Sequence, residues 1–235
     1  MTRATGKSAY LEGIRDGAPF ILMAVPFALL FGVVATEGGL RLAETVAFSL
    51  LVIAGASQFA ALQLMLENAS IALVLMAALA VNLRMAMYSA ALVPHLGAAP
   101  LWKRALVAYL NFDQTYIVSI ARYEAAPAMS LADKLAYFFG VATPIAPLWV
   151  VATVAGALVG QAIPPEYALD FIVPIMFLAM VAPMLKSLAH VAAALVSALV
   201  ALALAGLPSG LGLLVAAAAA MLTGALVETW MERQR

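Results

Sequence analysis

Residues 70–93 read SIALVLMAALAVNLRMAMYSAALV: twenty-four residues with one side chain charged at neutral pH, Arg84, close to the middle. At about 1.5 Å per residue, roughly 20 residues cross a 30 Å hydrocarbon layer, so this stretch is long enough to span a bilayer. An ionised group at the centre of such a helix costs roughly 2.5 to 3.5 kcal/mol on the lenient insertion scale. It must therefore face protein or water. A second apolar stretch, Trp102 to Arg122, places Asp113 at a comparable depth with the opposite charge. The pair predicts a membrane protein whose polar groups serve a site.

Composition agrees. Of 235 residues, 66% are hydrophobic and 10% charged, where soluble chains carry about 25% charged residues. Mean hydropathy is +1.06. Twelve basic residues balance twelve acidic ones, which gives no electrostatic case for nucleic acid as a partner. With no cysteine, disulfides, thiol catalysis and cysteine-ligated metal sites are excluded. No GxSxG, HExxH, Walker A or dinucleotide motif is present, so the expectation is a transporter without enzymatic chemistry or cofactor.

Eight candidate spans follow from the apolar runs: Gly17 to Thr36, Ala43 to Leu66, Ser70 to Val93, Trp102 to Arg122, Lys134 to Gly160, Ala168 to Met184, Ser187 to Gly206 and Gly210 to Trp230. Their continuity predicts helices rather than barrel strands, hence an all-α, polytopic helical bundle of about eight transmembrane helices. Breaks fall at turn signals such as Glu37-Gly38-Gly39 and Ile163-Pro164-Pro165-Glu166. The weakest lies at Lys186-Ser187, where a merger would leave seven spans. Residues 1–16 are expected to form a cytoplasmic N-terminal segment, 17–230 a single transmembrane transporter domain and 231–235 a cytoplasmic tail. The first run is about bilayer length and further spans follow it, so it reads as an uncleaved helix rather than a signal peptide.

With the N-terminus inside, the cytoplasmic basic set is Arg3, Lys7, Arg15, Arg122, Lys134, Lys186, Arg233 and Arg235, against Arg41, Lys103 and Arg104 opposite. That asymmetry predicts both termini in the cytoplasm. Pro26 and Pro147, and Glu44 and Glu166, recur at offsets of about 121 residues, the spacing of a parallel 4+4 repeat. Proline is also ordinary in membrane helices, so the offsets alone leave both explanations open.

Three consecutive spans carry polar side chains about a dozen residues in: Gly55, Ser57 and Gln58; Asn82 and Arg84; Asn111, Asp113, Gln114 and Thr115. Hydrocarbon satisfies none of their hydrogen-bonding groups, so these helices should face one another around a pocket. At helical spacing, Asn111, Gln114 and Thr115 share a face, Asp113 aligns with Tyr116, and Arg84 aligns with Tyr88. Arg84 and Asp113 have two readings, a buried ion pair that fixes packing or a substrate site. In the second, the arginine fork suits a carboxylate and Asp113 an ammonium or a proton, which together fit a zwitterionic amino acid. Phe59, Leu62, Met85, Met87 and Phe112 would form an apolar lining. His95 and His190 read as end-of-span residues, Trp102 and Trp230 as interfacial anchors, and Gly156 with Gly160 as a helix-packing pair.

The residues Ala54-Gly55-Ala56-Ser57-Gln58-Phe59, Asn82-Leu83-Arg84 leading to Tyr88, the segment around Asp113, the proline-bearing first helix and Leu169-Asp170-Phe171-Ile172-Val173-Pro174 resemble the AzlC family. Its members are large subunits of two-component branched-chain amino acid exporters. The resemblance implies an inner-membrane carrier that expels leucine, isoleucine, valine and sometimes methionine, driven by the proton gradient and assisted by a small AzlD-like membrane subunit. The polar set at mid-depth supplies the expected substrate contacts, Arg84, Asp113, Ser57, Gln58, Asn82, Asn111 and Gln114, with Asp113 as the expected proton-coupling acid. Where the family often has Thr-Asp-Glu, this chain has Phe112-Asp113-Gln114, which leaves Asp113 as the acid of that helix. A channel or carrier for another small solute, or a scaffold without transport of its own, are the competing functions.

Overall fold

A computed structural model describes residues 6–162, 185–206 and 211–233; within them every regular element is helical. The chain divides into two compact units, 1–59 with 78–167, and 60–77 with 168–235. Three of the helical segments, Gly6–Glu37, Ile71–Leu96 and Leu131–Gly160, are long and apolar enough to cross a bilayer. The expected sixth span, Glu166 and the Leu169 to Pro174 segment lie outside the described residues.

In the first unit, α1 (Gly6–Gly17) leads through one 3₁₀ turn (Ala18–Phe20) into α2 (Ile21–Glu37). Pro19 sits at the start of that turn, where its missing N–H costs no helix bond. The N-terminal segment is thus helical from Gly6 and packs on the protein rather than standing apart. Its neighbour is α8 (Leu131–Ala162). A Cβ at Gly13 would collide with the Tyr137 carbonyl, one at Gly32 with the Thr153 carbonyl, and one at Gly160 with Val33 and Thr36. Contacts that climb together along both chains mean that α1–α2 and α8 run parallel, backbone against backbone.

Between them the expectation of two further uninterrupted crossings fails. The stretch 43–66 is two helices, α3 (Leu42–Leu51) and α4 (Gly55–Leu66), and the stretch 102–122 is likewise α6 (Leu101–Tyr109) and α7 (Asp113–Ala125). These have 10, 12, 9 and 13 residues. At about 1.5 Å per residue none reaches across a 30 Å layer. Hydropathy missed the breaks because Val52-Ile53-Ala54 and Leu110-Asn111-Phe112 are nearly as apolar as the helices around them.

Each pair folds back as a hairpin. The α3 helix starts where α2 ends, held by Glu44, whose carboxylate accepts from the Arg41 backbone N–H at 2.8 Å. It descends past Phe31, which Phe48 meets edge-on at 5.4 Å. The α4 helix then returns alongside it: Gln58 Nε2 donates to Ser49 Oγ at 3.2 Å, and Phe59 packs on both Phe27 and Phe31. From there α5 (Ile71–Leu96) runs to the end from which α1 and α8 depart, where the His95 ring lies 5.2 Å from that of Tyr123, and Lys134 Nζ sits 3.3 Å from His95 Nδ1. The α6 helix starts at that same end. Leu92, Leu96, Ala99 and Val107 share a buried cluster with Ala9, Leu135 and Tyr137. The α7 helix comes back to it, with Arg122 paired to Glu12 and Tyr123 Oη donating to the Lys134 carbonyl at 2.8 Å.

The first unit therefore holds the second hairpin and, as far as Phe59, the first one, which enters from the opposite end. Their order is a long helix and a hairpin from one side, then a long helix and a hairpin from the other, which is an inverted repeat. Equivalent positions lie 58 or 59 residues apart, as Leu42 with Leu101, Leu51 with Tyr109 and Gly55 with Asp113. Lys103 and Arg104 consequently join Lys7, Arg15, Arg122 and Lys134 at one end, not Arg41 at the other as the sequence led us to expect.

In the second unit, Leu64 at the end of α4 packs on Leu73 and Ala77 at the start of α5. The other described elements are α9 (Leu188–Ala203) and α10 (Leu211–Arg233), an antiparallel pair in which Gly212 meets Leu204 and Gly224 faces Ala193. Ser187, the weak break in the sequence, caps α9 by accepting from the His190 backbone N–H at 3.3 Å.

Candidate functional site

The tips of the two hairpins meet. Tyr109, last residue of α6, donates its hydroxyl to the Leu50 carbonyl near the end of α3. Both tips need such partners, because a helix interrupted in an apolar medium leaves N–H and C=O groups that no water reaches. Two hydroxyls solve the same problem at equivalent places. Ser57 Oγ donates to the Ala54 carbonyl at 2.9 Å, and Thr115 Oγ1 to the Phe112 carbonyl at 2.8 Å and the Leu110 carbonyl at 2.7 Å. Residue type follows from this: a hydroxyl on the first turn closes the loop before it.

Asp113 opens α7, where the positive end of the helix dipole favours a carboxylate. Its Oδ2 lies 3.1 Å from Arg84 Nη2, and its Oδ1 accepts from Tyr88 Oη at 3.0 Å. Arg84 and Tyr88 stand one turn apart on α5, so both reach one carboxylate. The Tyr88 ring lies flat on that of Tyr116, 4.2 Å between centroids and 8° from parallel. The side chains of Arg84 and Asp113 remain 30% and 32% exposed. Arg84 Nε is buried without a partner, an unspent donor beside the pair.

The other sequence candidates separate into two groups. Asn111 lies in the second break rather than on a helix, so the face it was expected to share with Gln114 and Thr115 does not exist. It is buried, donates from Nδ2 to Ser89 Oγ at 3.2 Å, and keeps Oδ1 unpaired. Asn82 also has an unpaired Oδ1, and Gln114 is half-buried without a side-chain hydrogen bond among the described residues. These three border the pair in sequence and have hydrogen-bonding capacity in reserve.

Gln58 and Ser57 are tied into the packing of the first hairpin, and Gln58, like Asn111, keeps its amide oxygen unpaired. Gln58, Ser49 and Thr153 are all fully buried. They form one chain, from Gln58 Nε2 to Ser49 Oγ, then 2.8 Å to Thr153 Oγ1, which donates onward to the Trp149 carbonyl at 3.0 Å. This fastens both arms of the first hairpin to α8. Gly55 permits the same approach, since a Cβ there would run into the Phe27 ring and lie 2.8 Å from Trp149 Cη2. Of the expected apolar lining, Phe59, Leu62 and Phe112 are buried, Met85 is half-buried, and Met87 points outward.

Sequence reasoning missed Tyr109, Ser49, Ser89 and Thr153. Tyr88 and Tyr116 had a signal, since helical register already set them beside Arg84 and Asp113.

Bilayer-length apolar helices with half-length helices between them, and an ion pair where one of those begins, are the features of an α-helical membrane protein. The chain belongs to the AzlC family, whose AzlC protein model matches residues 19–163. It is 28% identical over 216 residues to the inner membrane protein YgaZ of Escherichia coli (strain K12), covering 87% of this chain and 86% of that one. It is also 30% identical over 238 residues to an uncharacterized membrane protein of Archaeoglobus fulgidus, covering 95% and 96%. No solved structure matches it.

Proposed function

We propose that this chain is the translocating subunit of a secondary exporter of branched-chain amino acids: leucine, isoleucine, valine and possibly methionine. The observation that carries the reading is the Arg84–Asp113 pair at the start of a half-length helix, where two opposed hairpins touch. Inverted repeats with interrupted helices at mid-depth are the architecture of secondary carriers, which bind solute at the breaks and open to each side in turn. In that scheme the α3–α4 hairpin is one gate and the α6–α7 hairpin the other.

Arg84 takes the substrate carboxylate and Asp113 takes either its ammonium group or a proton, so that a proton and the substrate compete. Asn82, Asn111 and Gln114 supply the remaining hydrogen bonds. Coupling to the proton gradient rests on Asp113 as the acid at the tip.

The end bearing Lys7, Arg15, Lys103, Arg104, Arg122 and Lys134 is assigned to the cytoplasm of a bacterial inner membrane, and Arg41 to the outside. Arg233 and Arg235 assign the C-terminus to the cytoplasm as well. A small AzlD-like subunit is the proposed partner. Its support is α5, of whose most apolar stretch 6% is buried, against 44% for the other two bilayer-length segments.

Cells loaded with a leucine-containing dipeptide, with and without the small subunit, test the reading. Saturable leucine efflux that stops when the proton gradient collapses is the expected result. Arg84→Ala should abolish it at normal membrane abundance. Asp113→Asn should stop driven efflux but leave exchange of labelled leucine. Efflux retained in Arg84→Ala removes Arg84 from the site, and loss of both activities in Asp113→Asn makes the pair structural. Conductance without saturation favours a channel.

A further inference from the structure

Asp113 holds two different partners on its two oxygens. Arg84 is a permanent cation with donors only, so protonation of Asp113 takes away the ion pair and leaves it at most a weaker hydrogen bond to the carbonyl oxygen. Tyr88 carries a hydroxyl that donates to a carboxylate and can equally accept from a protonated one. Among the described residues, Arg84 and Tyr88 of α5 are the charged and titratable groups facing Asp113, with Tyr116 on its own helix. The stack on Tyr116 fixes the Tyr88 ring, so its hydroxyl cannot follow Arg84 if the guanidinium moves.

We propose that Tyr88 is the positioning residue of the transport site: clamped on Tyr116, it keeps Asp113 against α5 in both protonation states while protonation frees Arg84 for the substrate. This rests on the exporter reading and adds to it the step that links proton to solute. One proton moves from water to the Asp113 carboxylate, no covalent bond to substrate forms, and the guanidinium exchanges one carboxylate for another. Without the hydroxyl, Asp113 would lose its second anchor when Arg84 leaves, and α7 would be held to α5 there by the Tyr88–Tyr116 stack without a hydrogen bond to the carboxylate.

Tyr88→Phe tests it, because the ring and its stack remain and the hydroxyl alone is lost. In proteoliposomes containing both subunits, initial rates of leucine efflux are measured across a pH series with a fixed gradient. A neutral hydrogen bond is worth about 0.5 to 1.5 kcal/mol, so the maximal driven rate should fall up to about tenfold. The KM for leucine should change much less, and the pH profile of the driven rate should be displaced from that of the unaltered protein. Tyr116→Leu, which removes the clamp, should reproduce the displaced pH profile in milder form. A Tyr88→Phe profile that overlays the unaltered protein overturns the proposal. So does an equal loss at every pH together with a lowered melting temperature, which is the signature of a packing residue. If the unaltered protein moves no leucine at all, the exporter reading falls and this step falls with it.

Discussion

The Tyr109 hydroxyl donates to the main-chain carbonyl of Leu50, joining the tips of hairpins that enter the first unit from opposite ends. The two residues are 59 apart, close to the spacing of the repeat, so nearly equivalent points of the two halves touch. A contact on a local pseudo-twofold axis must loosen if the halves are to exchange roles.

The first prediction tests that motion. The chain has no cysteine, so thiols introduced as Leu50→Cys and Tyr109→Cys have no competitors. Both positions are 47% exposed and reachable by a short bifunctional thiol reagent. Bridging the double variant should cut leucine efflux at least about tenfold, a barrier of roughly 1.4 kcal/mol. Each single variant given the same reagent should keep most of its rate. Full efflux from a bridged protein would mean that the tips need not part.

A second prediction concerns sidedness. Single cysteines at 15 and 104 should react with a membrane-impermeant maleimide from the same side, and one at 41 from the other. If 104 reacts together with 41, then α6 and α7 form a crossing after all.

The buried polar chain supports a third. Thr153→Val keeps the shape but removes the acceptor that Ser49 meets at 2.8 Å. A buried hydroxyl left unpaired costs about 1 to 3 kcal/mol. The melting temperature in detergent should fall, while efflux per folded molecule stays near normal because this chain lies in the scaffold. A lost rate at unchanged stability would move Thr153 into the site.

The fourth addresses the α2–α8 contact. A Cβ at Gly156 would overlap the Leu29 carbonyl, and main chain cannot swing aside as a side chain can. Gly156→Val should cost more than the roughly 1 to 3 kcal/mol of ordinary overpacking. Monodisperse protein recovered by size exclusion should drop sharply, whereas Gly206→Val, whose Cβ would meet nothing within 4 Å among the described residues, should be neutral.

How much of this was legible beforehand differs between elements. Composition and run length were enough for an all-helical membrane protein, and they located α5 and α8 to within a few residues. The meeting of Arg84 with Asp113 was legible too, because lone opposite charges in neighbouring apolar runs have few other ways to be satisfied. The hairpins were not. Hydropathy measures how apolar a stretch is, and Val52-Ile53-Ala54 is apolar whether helical or not. Gly55, and Asn111 followed by Asp113, were the local signals of a break, and both had been counted as polar lining. Gln58 shows how packing and solute contact look alike in sequence, since Nε2 is engaged while Oε1 stays unpaired. Its amide nitrogen meets Ser49, a partner nine positions back that only a folded hairpin brings near.

Each hairpin returns the chain to the side it left, and since there are two of them the corrections cancel in the parity of crossings. The α8 helix points the same way whether residues 42–66 and 101–125 traverse the bilayer or fold back within it. Reporter fusions after residue 131 would thus give identical answers for both topologies. Only a fusion placed between residues 67 and 100 would tell them apart.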